Sequence, residues 1–218
     1  AGETVADAVV VHPDASGDVC VYSSAMTDII WDQTAETTAV SAHDPLRLLD
    51  TRLPPAPPGS YDNPLRGIVG LTPLRIDQGV DYAGSGPLYA IGDGVVVSTT
   101  NSGWPGGAFI AIRLTDGPAA GDVVFEAENI TPLVSIGQQV TANTVLGTLH
   151  NAYPNSELGW GSSRAIGSAL APYYGGYIQG DSTALGVNFN QLLVKLGAPS
   201  GVIQPTVDGT LPSGWPTW

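Results

Sequence analysis

The chain has 218 residues, enough for one large domain or two small ones; only 12% are charged, while Gly (28) and Pro (18) are abundant. That mix suits an all-β fold with many turns, and it excludes a disordered chain, which would carry more charge and fewer aromatics. A net charge of −13, with one lysine and six arginines and no basic stripe, argues against nucleic acid and against anionic lipid as partners.

In chain order, "DAVVVHPDASGDVCVYSS" reads as two strands around a Pro-Asp-x-Ser-Gly turn, and "TDIIWD" as a third. Cys20, the single cysteine, lies in the second of these and excludes an intrachain disulfide; its place in an alternating run makes it a small buried hydrophobe. "LPPAPPGSYDNP", from Leu53 to Pro64, is too rich in proline to join a sheet ladder and reads as a linker. The expected units are therefore a small N-terminal β unit over 1–52, a linker over 53–65, a main β domain over 66–200 and a tail over 201–218. Within the main domain, "PLYAIG", "GVVVSTT", "AFIAIRL", "DVVFEAE" and "TVLGTLH" are short strands separated by Gly, Asn, Asp and Pro, the spacing of a sheet sandwich or open barrel. "NFNQLLVKLG" is the best helix, because Phe189, Leu192, Leu193 and Leu196 share one face and Gly197 is a natural stop. No apolar run approaches the roughly 18 residues of a membrane span. No signal-peptide pattern opens the chain, and Ala1 suits a cleaved, mature secreted start.

Two resemblances add to this reading. The N-terminal run followed by "DPLRLLDTR" resembles the latter half of a β-repeat found in actinobacterial secreted surface proteins, which ends in a similar "RLLDTR", here Arg47 to Arg52. A half-repeat leaves a sheet edge in need of a partner, so association of copies through the N-terminal sheet is expected. The second covers residues 66–162. "DQGVD", Asp77 to Asp81, resembles the His-x-Gly-x-Asp motif of the lysostaphin-type zinc endopeptidases. "GPLYAIGDGVVV" and "VSIGQQVTANTVLGTL" are similar to that family's scaffold motifs, and "ELGW", Glu157 to Trp160, falls on its His-x-His strand. The resemblance implies an all-β, lysostaphin-type sandwich or open-barrel core.

It does not imply the family's activity. Carried over position by position, the first zinc-ligand histidine falls on Asp77 and the ligand aspartate is kept as Asp81. The catalytic histidine falls on Glu128, or on Glu126 if the alignment slips by two. The first histidine of His-x-His falls on Glu157, and the second, a zinc ligand, on Gly159. Zinc sites need three or four ligands, preferably imidazole or thiolate, so no zinc and no metal ligand is assigned. His12, His43 and His150 show no ligand spacing. Acids make up 20 of 218 residues, so four acids at five aligned positions have a chance probability on the order of 10⁻³.

Carboxylates that share a cleft repel, so at least one is expected to titrate near neutrality. A raised acid beside an ionised one is the pairing that glycoside hydrolysis uses. On that ground Glu157 is the expected general acid, and Asp77, Asp81 or Glu128 the base or nucleophile. Trp160, Trp104 and Gln78 are the expected substrate contacts, with Gly159 leaving room for a sugar ring. Three readings follow. In the first, a secreted, envelope-associated protein binds a cell-wall polysaccharide and hydrolyses it. In the second, a non-catalytic pseudoenzyme serves as a surface, appendage or filament subunit. In the third, the acids hold calcium, which takes six to eight oxygens, in a binding module without other cofactors.

Overall fold

The computed structural model describes residues 61–101 and 103–218, which belong to a unit that begins at Pro54. The N-terminal half-repeat, Cys20, His12, His43 and the association expected through the N-terminal sheet lie outside the described residues.

The strands are β1 (Val69–Ile76), β2 (Gly79–Tyr89), β3 (Gly94–Thr100), β4 (Ala108–Leu114), β5 (Val123–Glu128), β6 (Ile130–Pro132), β7 (Gln139–Val140), β8 (Val145–Leu149) and β9 (Ser156–Gly161). They form one nine-stranded sheet in the order β6-β8-β2-β9-β5-β4-β3-β7, with β1 also on β2. Every pairing in it is antiparallel. A short parallel pair, β10 (Ser182–Thr183) with β11 (Val207–Asp208), lies beside α1 (Ala184–Lys195), the one α-helix among the described residues. The core is all-β, as the pattern of short runs and turn residues implies. No helix among the described residues is long and apolar enough to cross a membrane.

The sheet curls because β2 changes partners. Its first half, Gly79 to Tyr82, lies between β1 and β9, and its second half, Gly86 to Tyr89, pairs with β8. The bend between them carries Gly84 and Gly86 at φ +140° and +141°. A side chain at Gly84 would meet Ile68, and one at Gly86 would meet the Gly67 carbonyl, so only glycine lets the layers approach there.

Alternation then sorts side chains onto two faces. Val80, Tyr82, Ile110, Ile112, Val124, Leu158 and Trp160 share the main core, which α1 closes with Leu185, Phe189, Leu192 and Leu193. A smaller cluster on the opposite face contains Phe109, Ala111, Phe125, Ala127 and Ala169, with Trp104 against it. The helix starts four residues earlier than its apolar stripe suggests. Thr183 caps it, its side chain accepting from the Gly186 N–H at 3.0 Å, and Gly197 follows it at φ +91° as the expected stop.

Both flanks of the main domain belong to its core. Leu65, placed in the linker by its proline-rich context, is 1% exposed, and the Pro64 carbonyl accepts from the Tyr89 N–H at 3.0 Å. The segment expected as a tail supplies β11 and brings Trp215 and Trp218 to Trp160, at ring centroid distances of 5.3 and 6.5 Å. Asn188 ties these together: its side-chain oxygen accepts from Trp160 Nε1 at 2.9 Å, and its amide donates to the Pro216 carbonyl at 2.9 Å.

Trp160 is thus a structural ring, fully buried, and the expectation that it contacts substrate is corrected: in β9 it points with Leu158, away from Glu157. Trp160→Ala is expected to cost about 3–5 kcal/mol, the usual range for a large aromatic in a core. The check is a urea unfolding midpoint that falls while the slope is unchanged.

Candidate functional site

The site lies where the β1–β2 hairpin, the end of β5 and the start of β9 meet. The hairpin is closed by the Asp77 N–H donating to the Gly79 carbonyl at 3.0 Å. Its tip is clamped from outside. Ser182 Oγ donates to the Ile76 carbonyl at 2.6 Å, and Thr183 Oγ1 to the Asp77 carbonyl at 2.7 Å. The residues that start the helix therefore fix the backbone that carries Asp77. Asp81 and Glu157 are cross-strand partners in register, on one face of the sheet.

Glu128 arrives by a different route. In a regular strand it would share the face of Glu126. It ends β5 at φ +79°, a left-handed conformation that costs a non-glycine residue about 1–2 kcal/mol, and the break in alternation lets it line the cleft. Glu126 keeps the regular orientation. It is 4% exposed, opposite Ile110 and Leu158, and its Oε2 has no partner. Burial alone pushes its carboxyl well above the ordinary range, so Glu126 is a core acid that holds its proton more tightly than an exposed one.

Asp77, Asp81, Glu128, Glu157, Gln78 and Trp104 all line one open cleft of about 600 Å³. Asp77, Asp81 and Glu157 each place a carboxylate oxygen within 4.8 Å of the others, the only such cluster among the described residues. They are 1%, 8% and 3% exposed. One cation serves them. Arg75, at the end of β1, sets Nη2 at 2.7 Å from Asp77 Oδ2 and Nε at 2.8 Å from Asp81 Oδ2. Tyr177 also donates to Asp77 Oδ2, at 3.3 Å. The sequence reading gave neither Arg75 nor Tyr177 a role as a partner of the acids. Arg75 could have been noticed as a lone cation two residues from a clustered acid, whereas nothing local marks Tyr177, one hundred residues from its partner.

One guanidinium cannot balance four carboxylates, so the cleft holds protons. Burial, then the neighbouring Asp77 charge, push Asp81 up to about 7 although Arg75 pulls the other way. Burial and the Asp81 and Asp77 charges push Glu128 up to about 8. Glu157 lies well above the ordinary range, chiefly from burial, then from Asp77 and Asp81 and a hydrogen bond to Asp77 that favours its protonated form.

The metal arrangement of the lysostaphin-type family does not fit here. A Cβ at Gly159 would stand 2.8 Å from Phe125 Cε1 and 2.9 Å from Gly79 Cα, so no histidine can enter from that position. The space that glycine seemed to leave open is filled by the Phe125 ring. That ring is backed by Phe109 and Trp104 at centroid distances of 5.4 and 5.2 Å. Calcium fits poorly as well: the one such acid cluster among the described residues already holds a guanidinium on Asp77 and Asp81, where the cation would have to sit. His150 is exposed, with Nε2 2.8 Å from Thr131 Oγ1.

No protein-family model and no curated protein matches the chain. Among solved structures, one from Pseudomonas aeruginosa, described as a peptidase M23 candidate (the lysostaphin-type family), is similar at 20% identity and a TM-score of 0.36. The match covers 50% of this chain and 48% of that chain, so this chain spans about half the length of the structure it matches. So distant a likeness assigns no activity.

The carbohydrate-active reading is corrected. The match is to a peptidase scaffold and not to a glycosidase. Phe125 occupies the room expected for a sugar ring, and Trp160 faces the opposite side of the sheet. Trp104 lines the cleft, but its Nε1 donates to the Gly167 carbonyl at 3.0 Å and its ring belongs to the Phe109–Phe125 stack.

These raised acids set the pH dependence of stability. Asp81, Glu126, Glu128 and Glu157 hold their protons in the folded state to higher pH than in the unfolded chain. Between the unfolded values near 4 and the folded values of about 7 to 8, the native state binds more protons, so stability falls as pH rises. The thermal midpoint is expected to be higher at pH 5 than at pH 8, and Glu126→Gln to narrow the gap. Scanning calorimetry across that window checks both.

Proposed function

We propose that the unit beginning at Pro54 is a degenerate lysostaphin-like domain that works as a binding module and not as a zinc peptidase. The motif resemblance from "DQGVD" to "ELGW" supports the family likeness. The observation that carries the functional reading is the Arg75 guanidinium seated on Asp77 and Asp81, two of the three positions where that resemblance puts metal ligands. A cation is still present among the acids, but it is part of the chain. The third ligand position, Gly159, is sealed by Phe125.

A guanidinium has no vacant coordination position and no bound water whose pKa it could lower, so the means by which a catalytic zinc ion generates hydroxide is missing. What remains is a clamped, acid-lined cleft, suited to recognition. The surface-protein repeat that the N-terminal segment resembles suits a secreted or surface-displayed setting for such a module.

Equilibrium dialysis of the full chain against zinc tests this reading, together with an assay on a peptide substrate. The expected outcome is no stoichiometric zinc and no chelator-sensitive cleavage. One zinc per chain with chelator-sensitive peptidase activity would overturn it. Arg75→Met provides a second measure. With the internal cation gone, the Asp81 carboxyl should titrate above its present value of about 7, seen by NMR titration.

A further inference from the structure

A second pocket lies at the other end of the strands that carry the acid cleft. Glu128 ends β5 and Glu157 stands near the start of β9, whereas this pocket is lined by Val123, where β5 begins, and by Gly161, where β9 ends. Its volume is about 190 Å³. Two opposite charges face it, Asp122 and Arg164. No salt bridge joins them, and neither side chain has a hydrogen-bond partner among the described residues.

Each charge is carried on a fixed turn. The Asp122 N–H donates to the Ala119 carbonyl at 3.1 Å, and the Asp122 carbonyl accepts from the Leu114 N–H at 2.9 Å. Across the pocket, Ser162 is 1% exposed and organises the loop that bears Arg164. Its Oγ accepts from the Arg164 and Ala165 N–H groups at 3.2 and 3.0 Å, and its own N–H donates to the Ser168 carbonyl at 2.9 Å. Asp122 is half-buried, and burial raises its carboxyl above the ordinary range. A partly desolvated charge without a counter-charge is costly, and a ligand that brings the counter-charge removes the cost. Between the two charges runs an apolar wall of Leu170, Tyr174 and Trp215, all packed against the main core.

We propose that this pocket binds a small zwitterion of the α-amino-acid class, its ammonium on Asp122, its carboxylate on Arg164 and an apolar side chain against the Leu170, Tyr174 and Trp215 wall. Charge selects the class. A simple anion would meet Asp122, a simple cation would meet Arg164, and a neutral apolar molecule would leave both charges without partners. Arginine suits the carboxylate end, because its planar fork donates two parallel N–H groups to one carboxylate. Size sets the limit, since about 190 Å³ lies below the roughly 300–1,000 Å³ of drug-sized sites. The site is separate from the acid cleft and does not depend on what that cleft does.

The test is calorimetric titration of the full chain with leucine, N-acetyl-leucine, leucinamide and glycine. N-acetyl-leucine lacks the ammonium, leucinamide lacks the carboxylate and glycine lacks the apolar side chain. Saturable binding is expected for leucine, with each of the other three weaker by about tenfold or more. Two variants locate the site by selectivity. Asp122→Asn removes the partner of the ammonium and the repulsion of an anion, so leucine should lose its preference over N-acetyl-leucine. Arg164→Gln should likewise erase its preference over leucinamide. A merely structural effect of either change would weaken all the probes together. No saturable leucine binding below about 10 mM, binding of N-acetyl-leucine, leucinamide or glycine equal to that of leucine, or variants that keep the parent's selectivity would overturn the proposal. The comparison of probes uses the unaltered protein, so it stands even if a variant fails to fold. Zinc uptake with peptidase activity would defeat the reading of the acid cleft and leave this site untouched.

Discussion

Everything at the site depends on one guanidinium. Arg75 reaches two aspartates with two of its nitrogens, a geometry that lysine, a single point charge, could not reproduce. Without it, Asp77, Asp81 and Glu157 would be three acids within 4.8 Å of one another, with the sheet behind them. The fold spends several elements on holding Arg75 in place. Val202 flanks β1 on both sides of Arg75, its N–H donating to the Leu74 carbonyl at 2.6 Å and its carbonyl accepting from the Ile76 N–H at 2.9 Å. The residues just before the helix grip the Ile76 and Asp77 carbonyls. The C-terminal third of the chain is therefore a brace for the hairpin that presents the acid cluster, and the helix is one member of that brace.

The balance of charge explains why the cluster is tolerated. Burying ionised carboxylates costs several kcal/mol each, so the cheaper solution is to keep protons on those that Arg75 does not reach. Glu157 and Glu128 are the two that no salt bridge reaches, and both are pushed upward mainly by burial. Asp81, which Arg75 does reach, is held only to about 7. Because Asp81 and Glu128 titrate at about 7 and 8, the net charge of the cleft changes across neutral pH.

Much of this was legible in the sequence, and the limits have physical causes. Short strands with turn residues between them give the sheet, because alternation and punctuation are local properties. The convergence of Asp77, Asp81, Glu128 and Glu157 was readable through motif likeness, and the in-register pairing of Asp81 with Glu157 follows once β2 and β9 are neighbours. Trp160 could have been placed correctly as well. The alternation that sets Glu157 and Gly159 on one face sets Leu158 and Trp160 on the other, and the ring was assigned to the cleft against that rule. Phe125 is different. That its ring fills the space at Gly159 is a cross-strand packing fact between residues 34 positions apart, and no local pattern announces it. Leu65, Trp215 and Trp218 escaped because proline and glycine around them look like linker and tail. Apolar residues in such segments still go to the core when a core face is otherwise uncovered.

Two packing problems at the cleft, one of volume and one of charge, are solved by different residues. Gly159 has no side chain, and the space beside it is filled by the Phe125 ring, which Phe109 and Trp104 hold in place. Asp77 and Asp81 would repel each other, and Arg75 supplies the compensating charge. Each solution would be of little use without the other. Packed rings beside unneutralised acids would leave the strands under repulsion, and a neutralised cluster beside a void would let β9 shift toward β5. The hydrogen bond between Glu157 and Asp77 completes the arrangement, because a proton held between two buried carboxyls costs less than two buried charges.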